Sequence, residues 1–281
     1  MIHTSSSARG GPRLLALTAL GVGLLAQVGA AAAQHCHVDT PPAARPGAPE
    51  AAVTVGTRWT AGASRVAVAG STAMTERGYQ GGDLFVTATW RRVAASAALG
   101  AFHVDDAGTG LDDLRAALAV RLTPRAAAVA ISAIAGATLP TGDADAGRGM
   151  GHVMVAGGAS AHARRGRLGG TLTLTYARAL GDGAAHAAHA HGAELWPLID
   201  PMLAEEVTVD VAATVAVGPR GLAARAGALV GEPVAHGERR VVASVGADYG
   251  RGRYHVGATV SAPAVGDAFI ARGQLELAYH Y

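Results

Sequence analysis

From Phe269 to Tyr281 the odd positions run Phe269, Ala271, Gly273, Leu275, Leu277, Tyr279 and Tyr281, and the even positions Ile270, Arg272, Gln274, Glu276, Ala278 and His280. Ile270 aside, one face is apolar or small and the other polar or small. This period of two belongs to a β-strand lying between an apolar and a wet environment. The same alternation recurs upstream. Leu84, Val86, Ala88 and Trp90 oppose Phe85, Thr87, Thr89 and Arg91; Leu114, Ala116, Leu118, Val120 and Leu122 oppose Asp113, Arg115, Ala117, Ala119 and Arg121. Twelve strands are predicted in all. They cover 53–70, 83–90, 93–103, 111–122, 126–138, 148–163, 166–180, 205–217, 221–231, 238–249, 253–262 and 269–281.

The connections alternate in length. Short turns fall at 91–92, 123–125, 164–165, 218–220 and 250–252; longer ones fall near 71–82, 104–110, 139–147, 181–204, 232–237 and 263–266. Short periplasmic turns, long outer loops and an even strand number describe an all-β, transmembrane, antiparallel up-and-down β-barrel. The terminal strand would close the ring, and its final aromatic residue is of the kind read by the outer-membrane assembly machinery. Trp90, Tyr249, Tyr254, Tyr279 and Tyr281 lie near short turns or the carboxyl end, and Phe85, Phe102, Tyr176 and Phe269 near long loops. That spacing predicts two interfacial aromatic girdles.

Ahead of the strands, Arg9 and Arg13 precede an apolar run from Leu14 to Val28, followed by Ala31, Ala32 and Ala33. Residues 1–33 therefore read as a secretory signal peptide. Residues 34–50, with four prolines, read as an extended periplasmic tail, and 51–281 as the barrel in the outer membrane. The chain contains no lysine. Without the signal it carries 21 arginines against 21 carboxylates. That balance removes the nucleic-acid partner that a basic isoelectric point would otherwise suggest. The expected partners are the lipid bilayer and a small-molecule solute.

The polar face of the strands supplies the candidate lumen-lining residues: Asp113, Arg115, Arg121, Arg178, Asp210, Arg225, Asp248, Arg272 and Glu276. Side chains fill an eight-stranded barrel, whereas sixteen strands leave an aqueous channel. Twelve strands with small inward residues leave room for a constricted path. A histidine-rich stretch (His186, His189, His191) and a second group (His35, Cys36, His37) offer imidazole and thiolate ligands for copper or zinc. No other cofactor is implied. No enzymatic constellation emerges: Ser160 and His162 are the only close serine–histidine pair, and they lie beside a short turn.

Leu139-Pro140-Thr141-Gly142-Asp143, then Gly147-Arg148-Gly149-Met150-Gly151, and upstream Gly110-Leu111-Asp112-Asp113-Leu114-Arg115 resemble the family of meta-pathway phenol degradation proteins. The likeness covers residues 110–180. It implies an outer-membrane barrel that acts as a transporter, linked by gene context to uptake of aromatic compounds. The expected function is thus a non-enzymatic outer-membrane channel or transporter for small solutes. The alternatives are a copper- or zinc-binding barrel and a closed structural barrel.

Overall fold

The computed structural model describes residues 51–67, 74–143, 148–180, 205–218, 221–234, 239–266 and 269–281. The expected signal peptide, the tail and both histidine groups fall outside these residues.

The barrel strands are β1 (Ala51–Ala67), β2 (Met74–Trp90), β3 (Val93–Val104), β5 (Leu114–Arg121), β6 (Val129–Leu139), β7 (Val153–Arg165), β8 (Leu168–Leu180), β9 (Glu205–Ala216), β10 (Leu222–Pro233), β11 (Arg240–Arg251), β12 (Tyr254–Val265) and β13 (Phe269–His280). A four-residue strand, β4 (Gly108–Leu111), pairs only with β3 and extends its hairpin at the long-loop end. Every neighbour pairing is antiparallel. β2–β3 pairing and the β1–β13 ladder (Thr54 opposite His280 through Ala63 opposite Ala271) close the ring with no free edge. Closure satisfies every strand's backbone groups internally, as a bilayer requires.

The outward face is apolar along the ring. Leu84, Trp90, Leu122, Val245, Val260, Leu275 and Leu277 are exposed, Leu84 by 69 %. Such a continuous apolar exterior on a closed ring belongs to a membrane-spanning barrel, because water would penalise it heavily. No helix among the described residues is long and apolar enough to cross a membrane.

Three local expectations are corrected. Residues 71–82 are not a loop throughout: β2 starts at Met74 and stays paired with β1, so this hairpin is longer than its neighbours. Gly78, Gly81 and Gly82 made the stretch look irregular, but two flanking ladders hold it extended. The segments expected at 126–138 and 148–163 begin later, at Val129 and Val153, because the residues before them build turns and loops. The girdle expected at the long-loop end is also not formed by Phe85 and Phe102. Both point inward and Phe102 is buried, whereas Tyr176 faces out. Position along a strand does not decide the face; parity does. At the short-turn end Trp90, Tyr249, Tyr254 and Tyr281 do face outward and exposed.

Candidate functional site

The inner wall carries charge in one connected row. Reading perpendicular to the strands, Gly100 of β3 lies opposite Asp83 of β2, Asp83 opposite Arg58 of β1, Arg58 opposite Glu276 of β13, Glu276 opposite Gly257 of β12, and Gly257 opposite Asp248 of β11. Two of these places have no side chain, and a longer neighbour reaches each. Arg115 of β5 crosses Gly100 to bring its Nη2 within 3.5 Å of Asp83, and within 3.8 Å of Asp112. His255 of β12 covers Gly257, with Nε2 3.4 Å from Asp248 and Nδ1 3.4 Å from Glu276. A Cβ on Gly257 would lie 2.9 Å from Asp248 Oδ1, so glycine is what leaves that carboxylate its place beside the imidazole.

Arg58 is the hub of the row. Its Nη1 donates to Asp83 Oδ1 at 3.0 Å and its Nε lies 3.5 Å from Glu276. Its guanidinium also sits 5.3 Å from the centre of the Phe85 ring. Beyond Asp248, Arg225 of β10 lies 3.6 Å away and donates to Thr259 of β12. Asp210 of β9 faces Arg225. The belt thus alternates acid and base from Asp112 through Arg115, Asp83, Arg58, Glu276, His255 and Asp248 to Arg225. Most of its members are buried, Asp248 being only 1 % exposed, and Arg115 and Glu276 are partly buried. Alternation is what low dielectric demands, since an unpaired charge there is costly.

Of the residues read from the sequence, Arg115, Arg225, Asp248 and Glu276 meet in this belt, with Asp210 at its end. Arg272 is buried on the same inner face of β13. Arg121 is buried at the short-turn end of β5, where its Nη2 donates to the carbonyls of Pro124 and Arg125 at 3.1 and 3.3 Å. Arg178 is a correction. It shares parity with Leu172, Leu174 and Leu180, and lies exposed on the outward face near the long-loop end of β8. There a guanidinium reaches the headgroups on its apolar stem. Asp113 is also reassigned, because it sits in the break between β4 and β5 instead of on a strand.

Arg58, Asp83 and His255 were not singled out from the sequence. Parity was the available signal: Arg58 shares its face with Thr54 and Thr60, opposite Val53, Val55, Thr57 and Trp59.

Asp113 clasps the loops above the belt. Its carboxylate accepts N–H groups from Gly142 (2.9 Å) and Met150 (2.8 Å). Thr141 Oγ1 accepts from Leu114 N–H and donates to the Asp112 carbonyl. Arg148 donates to the carbonyls of Ala107 and Gly108 at 2.9 and 3.0 Å, and to Asp143 at 3.1 Å. A Cβ at Gly149 would stand 2.5 Å from Asp113 Oδ1. The three sequence stretches that carried the family resemblance are therefore one loop-locking device.

Burial pushes the Asp113 carboxyl above the usual carboxylate range, against its two backbone hydrogen bonds and the nearby His152 and Arg115. Burial likewise holds His152 below the usual imidazole range, against Asp113 and a hydrogen bond with the Met150 backbone. The signs oppose. A depressed histidine withdraws stability as pH falls from 6.5 through its folded value, whereas a raised aspartate returns stability as pH falls through its folded value towards 3.8. Acidification from pH 7 should first loosen the clasp through His152. The protection factors at Gly142 and Met150, which allow for the intrinsic slowing of exchange in acid, should fall, and His152→Gln should abolish that first fall. Protection factors that stay constant in the wild-type protein would remove His152 from the clasp.

Other readings find no site here. His162 Nδ1 lies 3.2 Å from Thr171 Oγ1 across the β7–β8 pair. Among the described residues no group of three histidine, cysteine or carboxylate side chains is placed to hold a metal ion.

The architecture has known counterparts. An outer-membrane channel from Pseudomonas putida F1 is similar over 83 % of this chain and 96 % of its own, with a TM-score of 0.59 and 14 % identity. The translocator domain of the autotransporter NalP from Neisseria meningitidis is similar over 83 % of this chain and 89 % of its own, with a TM-score of 0.46 and 14 % identity. No protein-family model matches the chain, and no curated protein is similar to it in sequence. At these identities the likeness to the Pseudomonas channel speaks for the fold, a closed antiparallel barrel.

Proposed function

We propose that this protein is an outer-membrane channel that passes small solutes by diffusion through a constricted lumen, without catalysis. The observation that carries the reading is the belt: a transmembrane ring lined by alternating acid and base, within an exterior fit for lipid. Such a lining suits small polar or zwitterionic solutes, which can exchange contacts with either sign, over large or purely apolar ones. The resemblance at residues 110–180 supports placing the chain with the meta-pathway phenol degradation-like transporters. The aromatic end of β13 suits recognition by the outer-membrane assembly machinery.

The near-complete burial of the belt favours a second reading, a sealed barrel. Single-channel recording of the refolded protein in planar bilayers separates the two. Discrete conductance steps, smaller than those of wide sixteen-stranded porins, are the expected result. Their absence from verified, inserted protein would overturn the channel.

A further inference from the structure

Charge is divided unevenly between the two ends of this barrel. Each of the five short turns has an arginine in it or beside it, and none carries an aspartate or glutamate. The long connections hold the carboxylates, among them Asp105, Asp106, Asp112, Asp113 and Asp143. We infer that the short-turn rim is a binding surface for the phosphates of anionic phospholipids in the leaflet that surrounds it.

Several arginines there lack the counter-charges that Arg58, Arg225 and Arg240 possess inside the barrel. Arg92, Arg165, Arg167 and Arg251 are exposed, with no side-chain partner among the described residues. At the neighbouring turns, Arg92 and Arg125 crowd Arg121 with like charge. Arg125 donates to the Arg91 carbonyl at 3.2 Å and so ties two neighbouring turns together. A surface built in this way attracts anions.

Two features select a lipid over a dissolved anion. First, the cations sit beside rings that face the bilayer. The Arg91 guanidinium lies 4.9 Å from the ring centre of Trp90, itself 61 % exposed on the outer face. Arg253 Nη1 lies 3.3 Å from Tyr279 Oη, and Tyr279 packs edge-to-face on Tyr254 and Tyr281 at 5.1 and 4.8 Å. Aromatic rings of this kind mark the headgroup level. Second, the arginines are distributed along the rim instead of converging on one cavity. A phosphate in a zwitterionic headgroup has its own ammonium nearby, whereas phosphatidylglycerol leaves the phosphate free for a guanidinium. Anionic lipid is therefore the better fit.

The test reconstitutes the whole barrel into phosphatidylcholine vesicles with a small fraction of spin-labelled phosphatidylglycerol or spin-labelled phosphatidylcholine. Electron paramagnetic resonance then gives the relative association of each label with the protein. Phosphatidylglycerol should associate about threefold or more tightly. The preference should fade in about 1 M sodium chloride, where screening acts over roughly 3 Å. It should also shrink in a variant carrying Arg165→Gln, Arg167→Gln and Arg251→Gln, whose barrel is checked by its heat-modifiable gel migration. Equal association of the two lipids with the wild-type protein overturns the inference, whatever the variant does. So does a preference that survives both the variant and high salt. Loss of the preference on replacing chloride with inorganic phosphate at equal ionic strength would assign the rim to dissolved anions and overturn the lipid. None of these outcomes depends on whether the lumen conducts.

Discussion

Replacing Arg240 by glutamine is expected to cost the barrel about 3 to 5 kcal/mol of stability, the range for removing one partner of a buried ion pair. Arg240 of β11 meets Glu206 of β9 through two bonds, Nε to Oε1 at 2.7 Å and Nη2 to Oε2 at 2.8 Å. The strand between them places Gly231 opposite Arg240. Any Cβ there would collide with both partners, so the bidentate geometry depends on that glycine. Glu206 is 1 % exposed, and without its guanidinium it must either stay charged in a dry place or take up a proton. Urea unfolding in lipid vesicles, followed by the fluorescence of the lipid-facing Trp59 and Trp90, measures the loss. A double variant, Glu206→Leu with Arg240→Met, should recover most of it, since apolar residues of similar volume leave no orphaned charge. A single-variant loss below about 1 kcal/mol would place the pair in the exposed class and refute its burial.

The second large effect is expected at Arg58. Arg58→Gln removes the one guanidinium that separates Asp83 from Glu276 on the inner wall. Two consequences follow from the same geometry. Stability should fall by about 3 to 5 kcal/mol, because two buried carboxylates lose their shared cation. The lumen should also gain net negative character at the level of the belt. In planar bilayers under a potassium chloride gradient, the reversal potential should then move towards the potassium equilibrium value. Arg58→Lys keeps the charge but has no planar fork to serve both carboxylates, so it should restore selectivity more fully than stability. If Arg58→Gln lowers stability and leaves the reversal potential unmoved, the belt is structural and does not line the conducting path.

The legible and illegible parts of this protein divide along one line. Strand number, antiparallel order and closure were readable because each lipid-exposed strand must repeat its apolar face every second residue. Leu118, Val120 and Leu122 display it openly, as do Leu275 and Leu277. Most short turns were equally readable, through pairs such as Arg91-Arg92 between clean alternating runs, but the turn expected at Arg164-Arg165 lies two residues later, at Gly166-Arg167. Where the alternation weakened, the reading failed. The glycines of residues 78–82 hid nine residues of β2, which pairing with β1, joined from Tyr79 by β3, holds extended. Asp113 matched the parity of its strand, yet its carboxylate was taken by Gly142 and Met150 from a loop far along the chain. Arg178 carried a charge and was read as inward for that reason, although its parity pointed outward.

Alternation is a local property, written residue by residue, and it determined that this chain would make a closed membrane ring of twelve strands with lipid on one side. Which charges meet is not local. Asp83 faces Arg58 and Arg58 faces Glu276 because of the ladder register, and Arg115 and His255 complete the belt by reaching these carboxylates from other strands. Register between distant strands follows from closure of the ring as a whole, so only the tertiary structure decided where the belt lies.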